Sequence, residues 1–340
     1  MFEILMITGS YPPDICGVGD YTSRILKTNV AKNWKLYKPD NWRLFSFRKK
    51  IREIDDYNIK HIILQYPTLG YGWSLLPHLI CLYYAFVPKI ELTVVFHELS
   101  QQTLKFRISA VILLICAKRL IFTTSFEKDY VVKYFPFLKW KCRVIKILSN
   151  IGKCETIAPF PERKYDLVYF GLIRPHRGIE EFFKVAVRIK TEFIGKRIVI
   201  LGQVPDNYEE YFRKIEERCE LYDITLYRDK PDSETAQILN DSKIAYLPYP
   251  DGASERRGTF LSALLNGCIV VATKGKFTTS SMAKAALFVE HDDALNLISE
   301  LFQTDNNELI IRQNAGLEYL KEEFPDSWED VAKKYTEALA

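Results

Sequence analysis

Two stretches of the chain carry arginine to a point where a helix should begin. In FGLIRPHRGIEEFF, Gly171 ends an apolar run and Gly178 opens an amphipathic helix with Ile179, Phe182 and Phe183 on its inward side. Arg174, His176 and Arg177 lie between them. Two guanidinium forks beside a helix N-terminus suit a phosphate or pyrophosphate, because arginine binds such oxygens bidentately and the helix dipole adds to the attraction. In YLPYPDGASERRGTFLSALLNG, a small-residue loop of Gly252, Ala253 and Ser254 leads through Glu255, Arg256 and Arg257 into a second helix start at Gly258 and Thr259. A glycine loop, two arginines and a helix N-terminus make another anion pocket, to which Ser254 and Thr259 add hydroxyls. Taken singly, each stretch has a plainer account as solvated arginines and an ordinary cap. Taken together, they converge if their strands end at one sheet edge.

The front of the chain has two weaker features. The first predicted strand runs into TGSYPPDICGVGDYTSRI, where Gly17 and Gly19 let the backbone turn sharply and approach a ligand ahead of a helix. It is no dinucleotide fingerprint, since the third glycine is missing and PPD precedes it. In VVFHELSQQ, His97 and Glu98 follow an apolar strand and project from its carboxyl end, where such sheets bind ligands. A tight turn without a ligand and a satisfied structural histidine are the plainer accounts. There is no D-x-D, G-x-x-x-x-G-K-[ST] or G-x-S-x-G, and no His/Cys cluster at metal spacing. Asp55-Asp56 and Asp292-Asp293 read as surface acids. If a diphosphate leaves here, its charge falls to arginine and helix termini.

The elements that must hold these residues alternate regularly. Strands are expected at 3–8, 43–47, 60–65, 91–96, 120–124 and 144–147, with helices at 19–31, 73–86, 103–117 and 126–135. The periodicity stops after Asn150, and CETIAPFPERK reads as a linker. It resumes with strands at 166–170, 197–201, 223–226, 243–248, 269–273 and 287–289. Helices there are expected at 178–190, 207–219, 233–240, 257–266, 292–302 and 307–322. A last helix, 326–339, is capped by Asp326 or Ser327. This pattern predicts two Rossmann-like domains with ligands at the carboxyl ends of their strands, divided as 1–155, 156–325 and a terminal 326–340. Length agrees, since 340 residues at about 150 per domain allow two cores.

Composition is ordinary for a globular protein, 48% hydrophobic and 26% charged, which excludes a disordered chain, a collagen-like repeat or a disulfide scaffold. The net charge of +4 conceals a split. Residues 1–160 hold 23 Lys and Arg against 12 acids, an excess of 11, while the remainder holds 24 against 31. An anionic ligand or surface is expected for the front half. Seven scattered cysteines without a C-x-x-C pair read as reduced thiols in a cytoplasmic protein. The start, MFEILMITGSYPP, reads as a buried strand and not a signal peptide. The apolar stretches 75–87 and 108–116 fall short of the roughly 18 residues a membrane span needs. They read as core helices, or else one of them rests on an anionic membrane at its inner face.

These motifs resemble the family 4 glycosyltransferases over essentially the whole chain. PPDICGVGDYT resembles the P-P-x-x-G-G-V-x-x-Y loop, with Cys16 for the first glycine, and FHE resembles the strand-end H-D, with Glu98 for Asp. FGLIRPHRG resembles V-G-R-L-x-x-x-K-G, with Arg177 at the lysine and Leu172 at the family's phosphate arginine. SERRGTFLSALLNGCIVVATKG resembles E-G-F-G-x-x-x-x-E-A-x-x-x-G-x-P-V-V-A-T, but the two glutamates fall on Ser254 and Ser262. RRGT is similar to the R-R-G-[ST] of one branch.

The resemblance implies the GT-B architecture: two Rossmann-like domains facing a cleft, with a C-terminal helix that crosses back to the N-terminal domain and closure about a hinge near 150–161. It implies a retaining, metal-independent and cofactor-free hexosyltransferase using a UDP- or GDP-type sugar donor. The acceptor would be a glycan or lipid-linked saccharide of polysaccharide or glycoconjugate biosynthesis, with no nucleic acid involved. His97 would act at the donor sugar. Gly17, Gly171, Arg174, Arg177, Ser254, Glu255, Arg256, Arg257, Gly258 and Thr259 would bind the donor, and Asp20 and Glu98 the acceptor. The two missing glutamates motivate an alternative, a relative that binds nucleotide sugar or glycan without turnover. A nicotinamide oxidoreductase is disfavoured by the incomplete glycine fingerprint.

Overall fold

The computed structural model describes residues 3–14, 16–290 and 293–339. Its contacts divide the chain into two units, Met1–Ile147 with Pro325–Ala340, and Leu148–Phe324. In the first unit, β1 (Ile4–Ile7), β2 (Lys35–Tyr37), β3 (His61–Tyr66), β4 (Glu91–Phe96), β5 (Arg119–Phe122) and β6 (Cys142–Val144) alternate with α1 (Gly17–Leu26), α2 (Phe47–Asp55), α3 (Leu76–Ala85), α4 (Leu104–Cys116) and α5 (Ser125–Tyr134). The strand order is β2-β1-β3-β4-β5-β6, and every pairing is parallel. Every residue of β1 is buried, as a strand covered by helices on both faces requires.

The second unit repeats the scheme with β7 (Tyr165–Leu172), β8 (Ile198–Gln203), β9 (Thr225–Arg228), β10 (Ser242–Leu247), β11 (Ile269–Thr273) and β12 (Ala286–Val289). Its helices are α6 (Ile179–Glu192), α7 (Glu209–Leu221), α8 (Asp232–Asn240), α9 (Gly258–Leu265), α10 (Ala294–Gln303) and α11 (Asn306–Glu323). The order β12-β11-β10-β7-β8-β9 is again fully parallel. The inward stripe expected for α6 is present, with Ile179, Phe182 and Phe183 fully buried.

The last helix, α12 (Trp328–Leu339), packs on α1 of the first unit. Tyr335 and Tyr21 join hydroxyls at 2.7 Å, and the Glu329 carboxylate accepts from the backbone N–H of Asn29 at 2.6 Å and Val30 at 3.2 Å. Ser327 caps it, accepting from Asp330 N–H at 3.2 Å.

Three expectations need correction. Residues 43–47 form no strand: Leu44–Ser46 is a 3-10 turn running into α2, which buries Ile51 and Ile54 on one face. The edge strand is β2, whose Lys35–Tyr37 pairs with Leu5–Ile7. The expected strand 144–147 lies earlier, at Cys142–Val144. The division between units falls at 147/148 and not at 155/156, because the expected linker is tied to the second unit. Asn266 receives Cys154 N–H at 3.0 Å and donates to the Gly152 carbonyl at 3.1 Å, while Asn240 receives Ala158 N–H at 3.0 Å. Asp292, of the pair Asp292-Asp293 and the expected helix 292–302, lies outside the described residues.

All seven cysteines are unpaired thiols. Among the described residues no helix is long and apolar enough to cross a membrane.

Candidate functional site

In an open parallel sheet, ligands bind outside the carboxyl ends of the strands where strand order reverses. In the second unit that point lies between β7 and β10, which pair through Leu167 with Ile244 and Val168 with Ala245. The loops leaving these two strands are the two arginine stretches. They touch: Gly178 has φ +89°, and a Cβ built on it would lie 1.9 Å from the Pro248 carbonyl oxygen. Only glycine allows both that backbone conformation and that approach.

The arginines converge there. Burial comes first, and the charges of Arg174 and Arg257 follow, in pushing the Arg177 pKa below the ordinary arginine range; Asp251 acts in the opposite direction. Like charge from two neighbouring guanidinium groups thus acts on Arg177, and an anion beside it would relieve that repulsion. Arg257 lies over the Tyr249 ring at 4.6 Å, is ion-paired to Asp251 and stays mostly buried. Arg174 Nε is buried without an acceptor among the described residues.

The other candidates lie near the end of β7, on the loop leaving β10 and at the start of α9. Gly258 starts α9, and a Cβ there would meet nothing within 4 Å. The Thr259 hydroxyl is engaged with the Tyr249 hydroxyl at 2.7 Å. Ser254 is buried, and its carbonyl accepts from Arg257 N–H at 3.1 Å. Glu255 is buried, and its charge helps raise the Tyr319 pKa, which places it toward α11. Arg256 is half-buried. Ser262, the other serine at a family glutamate position, is fully buried; it donates to the Gly258 carbonyl at 2.7 Å and pairs with Ser149. Gly171 lies near the end of β7, and its carbonyl packs where a Cβ on Gly202 would collide at 2.1 Å.

Sequence reasoning missed two tyrosines in this unit. Tyr249 is the platform beneath Arg257. Tyr169, buried in β7, donates to the Arg177 carbonyl at 3.1 Å and so holds the arginine loop. Both stand in readable places, Tyr169 two residues before Gly171 and Tyr249 two residues past the end of β10. Neither carries a charge, and a tyrosine in an apolar strand reads first as core.

In the first unit, order reverses between β1 and β3. The loops leaving them are in backbone contact, since a Cβ on Gly70 would lie 1.7 Å from the Gly9 carbonyl oxygen. Gly17 is exposed at the start of α1, with open space where a Cβ would stand. Asp20, in the first turn of α1, is half-buried. His97 follows β4 and is buried, with Nε2 2.8 Å from Gln65 Oε1 and the Tyr21 ring edge-on at 5.1 Å. The α1 loop and the end of β4 are thus brought together through Tyr21. Glu98 is half-buried beside His97.

The residue sequence reasoning missed here is Glu127. Capped by Thr124, it accepts from Leu99 N–H at 3.1 Å, Ser100 N–H at 2.8 Å and Ser100 Oγ at 2.6 Å, and so fixes the loop that presents His97 and Glu98. Its signal was the T-x-x-E spacing of Thr124 and Glu127 at the start of α5, a capping box. Among the described residues no group of three or more His, Cys, Asp or Glu is placed to hold a metal ion.

Neither a family model nor a curated protein matches the amino-acid sequence. Solved structures do match in fold. A glycosyltransferase from Rickettsia africae superposes with a TM-score of 0.69 at 13% identity, over 99% of this chain and 97% of that one. Sucrose-phosphate synthase from Thermosynechococcus elongatus gives 0.69 at 15% identity, over 100% and 98%. Anabaena HepE, in complex with UDP and glucose, gives 0.66 at 12% identity, over 100% and 99%. With two parallel six-stranded sheets, flanking helices and near-complete coverage of these structures, the chain has the GT-B fold.

Proposed function

We propose that the protein is a glycosyltransferase that moves a hexosyl group from a UDP- or GDP-type sugar to a glycan or lipid-linked saccharide. The observation that carries this reading is the meeting of the two arginine loops at the β7/β10 reversal, where Gly178 packs against the Pro248 carbonyl and Arg174 and Arg257 both lie within electrostatic reach of Arg177. A donor diphosphate would lie among them, with the first N–H groups of α9 at the Gly258 end. In the transfer, the sugar–phosphate bond breaks and negative charge grows on the departing β-phosphate. Preorganised guanidinium groups stabilise that charge as it forms, in the role a divalent metal plays elsewhere. A UDP-bound structural relative, Anabaena HepE, supports the reading.

In this reading the first unit meets the acceptor. Gln65 fixes the imidazole of His97, which would contact the donor sugar, and Asp20 and Glu98 would contact the acceptor. Retention of anomeric configuration is part of the same proposal.

A thermal-shift screen against UDP, GDP and ADP tests the donor site, because a ligand that binds only the native state raises its stability. One nucleoside diphosphate should raise Tm in the wild type and not in Arg177→Ala. No shift with any of the three, or an equal shift in the variant, overturns the assignment. A second reading, binding without turnover, is motivated by Ser254 and Ser262 at the two family glutamate positions. Release of nucleoside diphosphate from any sugar donor dismisses it.

A further inference from the structure

Helix α4 departs from the pattern of a soluble surface helix. Its inward face buries Ala110, Leu113 and Leu114, as expected for a helix on a sheet. Its outward face is apolar too. Leu104, Ile108, Ile112 and Ile115 are 63%, 62%, 39% and 56% exposed. At 100° per residue these four fall within an arc of about 80°, a stripe roughly 16 Å long. An outward helix face is ordinarily polar, and a contiguous apolar patch marks something that covers it.

The ends of the stripe carry aromatic side chains. Trp73, 76% exposed, lies against Phe106 at 4.9 Å near the start of α4. At the other end, Lys141 donates to the carbonyls of Ile115 and Ala117 at 3.0 and 2.8 Å, tying the turn that bears exposed Trp140 to the end of α4. The charge around the stripe has one sign. Residues 57–90, 99–126 and 130–154 contain no Asp or Glu, while Lys105, Lys118 and Lys139 are exposed beside the stripe and its ends. The exposed acid nearest in sequence on α5, Asp129, lies 4.0 Å from Lys128.

We propose that α4 is a membrane-docking helix, which lays its outward stripe into the headgroup region of an anionic lipid bilayer with Trp73 and Trp140 as interfacial anchors and the lysines on lipid phosphates. Aliphatic burial supplies the insertion, lysines supply the preference for anionic lipid, and tryptophan suits the boundary between the two. A protein partner or a second copy would also cover apolar surface, but the absence of any acid on these segments favours a surface of uniform negative charge. Docking is independent of the donor site, so its failure leaves the nucleotide-sugar reading intact, and the reverse also holds.

The test is flotation of the full chain with phosphatidylcholine vesicles, with and without phosphatidylglycerol, at low and high salt. The wild type should float with the anionic vesicles only, and less at high salt. The double variant Ile108→Glu/Ile112→Glu should lose roughly tenfold or more of that binding, with an unchanged melting temperature because both sites are exposed. Lys105→Glu/Lys118→Glu should abolish the preference for anionic lipid. Wild type that does not float with anionic vesicles, or a glutamate variant that floats as well as wild type, overturns the proposal. So does a wild-type dimer that the glutamate variant dissociates, which would assign the face to a second copy.

Discussion

The two units reverse their strand order in the same kind of place and furnish it differently. At the β1/β3 reversal, backbone meets backbone through Gly9 and Gly70, and a glutamine holds a histidine nearby. At the β7/β10 reversal, backbone also meets backbone, through Gly178 and Pro248, but there Arg174 and Arg257 lie within electrostatic reach of Arg177. The front half has 11 more basic than acidic residues, yet it spreads them over helices and turns; the acidic back half concentrates three where strands end. In the proposed reading, local focus of charge, and not net charge, would decide which half holds a diphosphate.

The largest effect is expected at the arginine cluster. Arg177→Ala and Arg257→Ala should each lower nucleotide-sugar turnover by about 10²-fold or more, comparable to loss of one preorganised oxyanion donor. Near-wild-type rates in both would remove the special status of the back half.

The glycines come next. Gly178→Ala should destabilise the second unit by about 3 kcal/mol, since the new Cβ meets a backbone carbonyl in a left-handed conformation. Gly17→Ala has open space and should change stability by no more than about 0.5 kcal/mol. Equal melting temperatures for the two variants would show that the Gly178 contact constrains nothing.

A third difference is a neutral histidine. His78 of α3 is buried edge-on to Tyr66, and burial pushes its pKa down to about 4. The unfolded chain, with this imidazole near 6.5, takes up the proton first as pH falls. The contribution is therefore intact above about pH 6.5 and should be lost between there and about pH 4, a fall of roughly 3 kcal/mol. His78→Gln should flatten that part of the curve of stability against pH, and an unchanged slope would assign the loss to other groups.

The smallest effect belongs to Tyr249→Phe, which removes the 2.7 Å bond to Thr259 and should cost about 1 kcal/mol. The ring beneath Arg257 remains, so turnover should fall far less than in Arg257→Ala.

Much of this was legible in the chain itself. Strands buried on both faces appear as continuous runs such as LTVVF and IVVAT, and long amphipathic helices such as α6 keep their period. The misread segment at 43–47 shows the limit. Leu44 and Phe45 look like strand residues but are exposed, and the edge strand KLY is too short and too polar to stand out. The arginine stretches were recognisable from type and spacing. Tyr169, Tyr249 and Glu127 were not, because each works on a loop far from it in sequence or through an uncharged ring.

By itself the sequence determined the element types, the two-sheet plan and the presence of arginine at two helix starts, since these depend on local periodicity and on glycine and proline positions. Only the tertiary structure decided that β7 and β10 are neighbours, which brings Arg257 of one stretch within electrostatic reach of Arg177 in the other. It also decided that the unit boundary precedes the proline-rich segment, and that the outward apolar face of α4 is left exposed. Each of these depends on pairing across many residues of chain, where loop closure and packing choose the partner and local propensity is silent.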